Sequence, residues 1–491
     1  MRALKGDNSL TLAHPNIPMK SNCYCCLLSL FLVLNFSAQA QVYDSLNISL
    51  LSNWNDPAVP AEPFYGIRYN GIWGWDDGNG NEYAIIGATS GVYFINVTNP
   101  QAPVQADFVP GRRDSCIWRE VKTYSHYAYL ISDDQSPNSF QIVDLQYLPD
   151  SVSVVYDGTG IFERAHTLFV DGQHLYCGIV KGGQFQNTAA MAVFSLANPV
   201  QPALLRKLNT DFPGLLTNNQ VHDMYARNDT VYASCAYDGL FIFKYDSVAN
   251  SFSLASSLTS YPQQGYNHSS ALTDDGSTLV FMDEVPNGLA VKVLDVSDFS
   301  NLTIKSTFKS NTGPTPHNPF MVGNTCYIAY YQDGLQVYDV SDPVNPARIG
   351  YFDTHYQTAM GGPYPSPAYQ GAWGAYPYLP SGNILVSDMQ NGLFVLDPSP
   401  MFASVEENTQ AVAFSLFPNP ASADETCTIR LLNQTPVDGT LYIRDVQGRL
   451  ISSRNYKAAT ITFSVRDLSS GLYTVEWRTQ SGAALKKLLV Q

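Results

Sequence analysis

Leu335-Gln-Val-Tyr-Asp-Val340, followed by Ser341-Asp-Pro343, decides the fold, because the same phrase returns along the chain. Before it stand Val92-Tyr-Phe-Ile-Asn-Val97, Phe140-Gln-Ile-Val-Asp-Leu145, Ala192-Val-Phe-Ser-Leu196, Leu240-Phe-Ile-Phe-Lys-Tyr245 and Val291-Lys-Val-Leu-Asp-Val296; after it stands Leu393-Phe-Val-Leu-Asp397. Short runs of Val, Ile, Leu, Phe and Tyr bounded by turn residues read as β-strands. Seven copies of one strand make a repeat protein, and the period outweighs any single motif.

Working upstream from each copy, a hairpin turn appears. The turns are Asp76-Asp-Gly-Asn-Gly80, Tyr124-Ser-His126, Asp171-Gly172, Arg227-Asn-Asp229, Asp274-Asp-Gly276, Gly323-Asn324 and Pro380-Ser-Gly-Asn383. Gly, Asn and Asp tolerate the positive φ that a tight reversal needs. Further upstream, one position recurs at the start of the first strand: Trp73, Trp118, His166, His222, His268, His317 and Trp373. Its spacing of 45 to 56 residues is that of four-stranded propeller blades. Helical solenoids of similar period are excluded by the turns and the β-branched and aromatic strands. The expected fold is therefore all-β: a seven-bladed β-propeller over residues 42–398. Leu46-Asn-Ile-Ser-Leu-Leu51 is expected to supply the outer strand of blade seven and so close the ring.

Composition agrees. The 491 residues hold 31 Tyr, 24 Phe and 6 Trp with only 14% charged residues, a mixture suited to short strands and turns. A net charge of −15 repels phosphate backbones and anionic lipid, so nucleic acid and membrane surfaces are set aside as partners.

The N-terminus reads as a signal peptide over residues 1–40. Lys20 precedes the apolar run Cys25–Leu34, and Ala38-Gln-Ala40 is a small-x-small cleavage pattern. The run is too short to span a bilayer, and the mature chain is expected to have no transmembrane segment. Met19, just before Lys20, is a candidate start. Cys116, Cys177, Cys235, Cys326 and Cys427 remain after cleavage; their odd number and apolar settings point to buried thiols rather than disulfides.

A linker at 399–413 leads to a strand-rich module at 414–491, patterned as a small β-sandwich. It opens with Phe414-Ser-Leu-Phe-Pro-Asn-Pro420, continues through the hairpin Asp445-Val-Gln-Gly448 and Leu468-Ser-Ser-Gly-Leu-Tyr-Thr-Val475, and ends in Lys486-Lys-Leu-Leu-Val-Gln491. These motifs resemble a type A sorting domain of the type IX secretion system. The resemblance implies export across the outer membrane of a member of the Bacteroidota by that machinery, removal of the domain, and attachment to surface lipopolysaccharide. The final Gln, where the family more often has Lys, leaves attachment and release both open.

The propeller, through Trp73-Gly-Trp75, Ile117-Trp-Arg-Glu-Val-Lys122, Ala165-His166, Val221-His-Asp223, Asn267-His268, Pro316-His-Asn318 and Gly371-Ala-Trp-Gly-Ala-Tyr376, is similar to the choice-of-anchor B family of LVIVD-repeat propellers. No catalytic activity carries over from that resemblance.

One constellation could carry chemistry. His166, His222, His268 and His317 hold equivalent places in four consecutive blades, and innermost strands converge on the channel. Loops after the second strands bring Asp133, Asp134, Asp238, Asp283, Glu284, Asp333 and Asp388 to the same face. Imidazoles beside carboxylates are the ligand set of a divalent transition metal, the one cofactor this layout points to. Equally, histidines repeated by duplication can bridge blades by hydrogen bonds and do nothing more. With Trp73, Trp118, Trp373, Asp133, Asp134, Asp283, Glu284 and Asp388, the same circle forms a candidate ligand-binding mouth. His126 and His174 read as solvated turn residues. No GxSxG, HExxH or P-loop occurs, and Asp76–Asn81 is better explained as a hairpin than as a calcium loop. The leading expectation is a non-catalytic binding protein on the cell surface with an unknown extracellular ligand; the rival is a metal-dependent hydrolase or lactonase-like propeller.

Overall fold

Each repeat folds into a four-stranded antiparallel sheet, as the computed structural model of the chain shows. It describes residues 43–355, 369–402, 414–422, 425–431, 436–445, 450–479 and 482–490. The signal peptide, most of the linker and the tip of the 445–448 hairpin lie outside the described residues.

Blade one runs from Tyr69–Asp76 through Glu82–Ala88 and Gly91–Asn96 to Val104–Pro110, and the next five blades repeat that meander in order along the chain. The two middle strands are buried on both faces, as in Glu82–Ala88, because each blade is packed against a neighbour on either side. Outer strands alternate instead, as in Thr303–Phe308, where every second residue reaches solvent. Where the third and fourth strands meet, every blade shows a register shift, for example at Val193/Phe194 and Val337/Tyr338. A bulge there increases the twist that propeller blades require.

The hydrophobic core lies between blades rather than inside them. Tyr83 and Ile85 of blade one pack with Leu130 and Val143 of blade two, and this pairing continues around the molecule. It ends where Leu385, Leu393 and Val395 of blade seven join Tyr69, Ile72 and Ile86 of blade one. That last cluster makes the ring closed.

Closure uses the N-terminal strand, displaced from the expected stretch. Ser49–Trp54 pairs with Gly392–Asp397 as the outer strand of blade seven, while Ser45–Leu46 pairs with Ala347–Phe352 as a fifth strand on blade six. Asn47, at φ 56°, turns the chain between them. Side-chain burial drives the shift: Trp54 sits 5.2 Å from Tyr93 and 6.2 Å from Tyr69, plugging the blade seven–one core.

The C-terminal module is a β-sandwich. One sheet holds Phe414–Phe417, Thr426–Leu431 and Thr460–Ser464; the other holds Leu450–Ala458, Val437–Asp445, Gly471–Thr479 and Gly482–Val490. Trp477, Cys427, Ile429 and Val475 fill the space between them. All five cysteines among the described residues are free and buried.

Candidate functional site

Neighbouring innermost strands stand side by side around the axis, so residues at one level form a circle. In blades two, four and six the circle residue immediately precedes a residue paired to the end of the second strand, as with Trp118 before Arg119↔Ser132 and His317 before Asn318↔Ala329. In blades five and seven it is the bulged residue just before Ser269↔Met282 and Gly374↔Ser387, and in blade three it precedes Thr167↔Gly178 within a longer second strand. The corresponding pair in blade one is Ile72↔Ile86. The circle is therefore Gly71, Trp118, His166, His222, His268, His317 and Trp373.

Trp73 is two residues further on, and its place is a correction to the expected circle. A Cβ on Gly71 would stand 2.3 Å from the carbonyl oxygen of Arg119, so no side chain fits there. A register shift between Tyr69 and Ile72 absorbs the extra residues, which even spacing in the sequence conceals. Trp73 instead donates to Thr123 Oγ1 at 3.0 Å, lies under the Lys122 ammonium, and lines a separate cavity of about 400 Å³ with Phe169, Tyr225 and Tyr376.

The four imidazoles form a contiguous arc. Ring centroids are 4.2 Å apart for His166–His222, 4.3 Å for His222–His268 and 4.3 Å for His268–His317, with Trp373 4.7 Å beyond. Nδ1 of His222 bonds the carbonyl of His268 at 3.2 Å, and Nδ1 of His317 bonds that of Trp373 at 2.5 Å. These bonds bridge blades and also fix each ring, leaving Nε2 turned away from the backbone.

Of the paired carboxylates, one enters the mouth and the other turns back, because successive residues of an extended chain face opposite ways. Asp133 meets His166 Nδ1 at 3.2 Å and Lys181 Nζ at 3.3 Å. Asp134 accepts the backbone N–H groups of Ile117 and Trp118 at 2.9 and 3.1 Å. Glu284 lies 3.8 Å from His268 Nε2 and accepts the Tyr331 hydroxyl at 2.8 Å. Asp283 points into the blade, against Lys292 Nζ at 2.5 Å with Tyr261 and the Gly265 N–H. Asp388 is likewise buried, bonded to Thr354 Oγ1 and the N–H groups of Gln390 and Asn391. Asp238 and Asp333 stand outside the mouth, bonding the Thr217 N–H and the Asn311 amide.

The structure thus gathers Trp118, Trp373, the four histidines, Asp133 and Glu284, and separates Trp73, Asp134, Asp283 and Asp388 from them. The gathered residues line a cavity of about 360 Å³ together with Gln220, Tyr237, Tyr266, Tyr331 and Tyr369. Those tyrosines carry no periodic signal, since they come from loops that differ between blades. His174 also departs from expectation: its Nδ1 meets Asp229 at 2.6 Å, and it packs edge-on to Tyr245. His126 is partly buried, with Nδ1 beside Ser125 Oγ at 3.1 Å.

Electrostatics divides the arc in two. Burial opposes charge on His166, yet the hydrogen bond and charge of Asp133 prevail and raise its pKa. Burial, then the nearby histidines, hold His222 and His268 well below the usual imidazole range, and burial pushes His317 down to about 3. Pairing with Asp133 therefore favours the charged form of His166, while burial favours the neutral form of the other three rings. Burial also raises the Glu284 carboxyl. Among the described residues the lining contains no Ser, Thr or Cys, so it offers no serine, threonine or cysteine nucleophile.

The chain matches two family descriptions: an LVIVD repeat at residues 321–354 and a secretion system C-terminal sorting domain at residues 415–491. No curated protein matches it. Among solved structures it is similar to the computationally designed Ika8 protein (8% identity, 86% of this chain and 96% of that one, TM-score 0.40). A protein from Lactobacillus plantarum gives 11% identity over 76% of this chain and 96% of its own, TM-score 0.44. A provisionally assigned 6-phosphogluconolactonase from Bacteroides fragilis gives 11% over 81% and 97%, TM-score 0.43. No helix among the described residues is long and apolar enough to cross a membrane. With an LVIVD repeat in its propeller and a type IX sorting domain that engages the secretion machinery, the chain is an exported protein of the cell surface or extracellular space.

Proposed function

We propose that this is a non-catalytic, surface-displayed binding propeller that takes an extracellular ligand at the histidine-lined mouth of its channel. One observation carries the reading: a cavity of about 360 Å³ in which five tyrosine and tryptophan rings besides Trp118 surround a few converging polar groups. Aromatic walls with sparse, fixed polar groups are the common make-up of small-ligand sites. The sorting domain supports delivery of that mouth to the outside, and lipopolysaccharide attachment follows as part of the proposal.

Glycan and peptide arrays probed with the full mature chain test this. Retention of a defined ligand class, lost in Tyr237→Ala and Gln220→Ala, supports the reading. Retention untouched by both variants sinks it.

A second reading, a metal-dependent hydrolase, is favoured by the approach of His268, Glu284 and His317. Turnover of lactone or ester substrates that disappears in Glu284→Gln would make it the better account.

A further inference from the structure

We propose that His268 Nε2, His317 Nε2 and the Glu284 carboxylate form a binding site for a single divalent transition ion of the zinc class, with its open coordination position facing the mouth. The inference deepens the binding reading above and rests on it for the role of that open position. Among the described residues this is the one trio of potential ligands whose donor atoms all lie within 4.8 Å of one another.

Two further observations support it. First, two imidazoles and a carboxylate constitute one of the three-residue sets that leave a zinc ion a fourth position for water or ligand. Second, two of the three ligands have outer partners in place, while Nδ1 of His268 is buried without a hydrogen-bond partner among the described residues. Nδ1 of His317 is taken by the Trp373 carbonyl, and Glu284 is held by the Tyr331 hydroxyl. A ring nitrogen engaged with a carbonyl fixes the tautomer and presents the other nitrogen's lone pair, as metal-bound histidines require.

The site is narrower than the expected circle of four. The Nδ1 of His166 is already occupied by Asp133, 3.2 Å away. His222 lies next along the arc, its Nδ1 on the His268 carbonyl, and among the described residues no carboxylate approaches it as Glu284 approaches His268. Donor atoms around tetrahedral zinc stand about 3.3 Å apart, so the trio draws in by up to about 1.5 Å on binding. Glu284, the least buried of the three, supplies that movement.

The test uses the full mature chain, stripped with chelator, dialysed and titrated with Zn²⁺ alone by calorimetry, with metal content read by mass spectrometry. Expected are one zinc per chain, binding weakened at least about 10-fold in Glu284→Gln and in His268→Gln, and no change in His126→Ala. Should His268→Gln fail to fold, Glu284→Gln, nearly isosteric and still able to accept from Tyr331, decides alone. Absence of zinc binding in the wild type, or binding that Glu284→Gln leaves intact, overturns the site. Arrays repeated on stripped and zinc-loaded chain separate this inference from the one beneath it. A ligand retained equally by both forms overturns the role of the open position while the binding reading survives. Zinc bound without any retained ligand keeps the metal site and removes the binding reading.

Discussion

The hydroxyl of Tyr331 in blade six donates to Glu284 Oε1 of blade five at 2.8 Å, tying the one carboxylate nearest His268 to the far wall of the mouth. Burial raises the Glu284 carboxyl, and this bond works against that rise. Tyr331→Phe keeps the ring and removes the donor. Zinc affinity is expected to fall about 10-fold, the scale of lost outer-group support, with about 1 kcal/mol of stability lost. Calorimetric titration beside urea unfolding checks both; an unchanged affinity would show that Tyr331 does not position Glu284.

Lys292 and Asp283 form a fully buried ion pair at 2.5 Å. Lys292→Met strands the carboxylate in the blade and is expected to cost about 3–5 kcal/mol, whereas Lys292→Met with Asp283→Leu recovers most of it. Denaturant unfolding of wild type, single and double variants makes the measurement. A single variant as stable as wild type would mean that the pair is dispensable.

Ring closure depends on Ser49–Trp54. A chain beginning at Asn55 leaves Gly392–Asp397 as an open edge and uncovers the blade seven–one core. Loss of the cooperative melt and rapid proteolysis across the propeller are expected. Trp54→Ala, which removes a half-buried ring, should keep the transition and cost about 2 kcal/mol. If the truncated chain melts as sharply as the whole one, closure is not what holds the blades.

Asp353 supplies a pH dependence. Burial, then the charges of Asp333, Asp388 and Asp44, raise its carboxyl to about 7 in the folded chain, against about 3.9 when unfolded. Between those values the native state holds a proton that the unfolded chain has released, so stability falls as pH rises from about 4 to 7. Asp353→Asn still accepts from the His355 N–H and removes that slope. The variant should match wild type near pH 4 and exceed it at pH 8. Melting curves across that range decide it, and parallel wild-type and variant profiles would refute the assignment.

Much of this was legible beforehand. Leu335–Val340 and its six relatives announce strands because a sheet buried on both faces needs unbroken apolar runs. His166, His222, His268 and His317 announce a shared level because duplication preserves register. Trp73 shows the limit: a bulge adds residues without adding height, so counting along the chain placed it on a circle where the backbone of Arg119 admits only Gly71.

What the linear order determined by itself was local and periodic: seven blades, the turns between their strands, the buried free thiols and the sandwich at the end. Tertiary structure alone decided which of Asp133 and Asp134, or of Asp283 and Glu284, enters the mouth, and that Tyr331 meets Glu284 there. Strand pattern reports on neighbours one or two residues away, whereas a binding mouth is assembled from loops that meet only once the ring has closed.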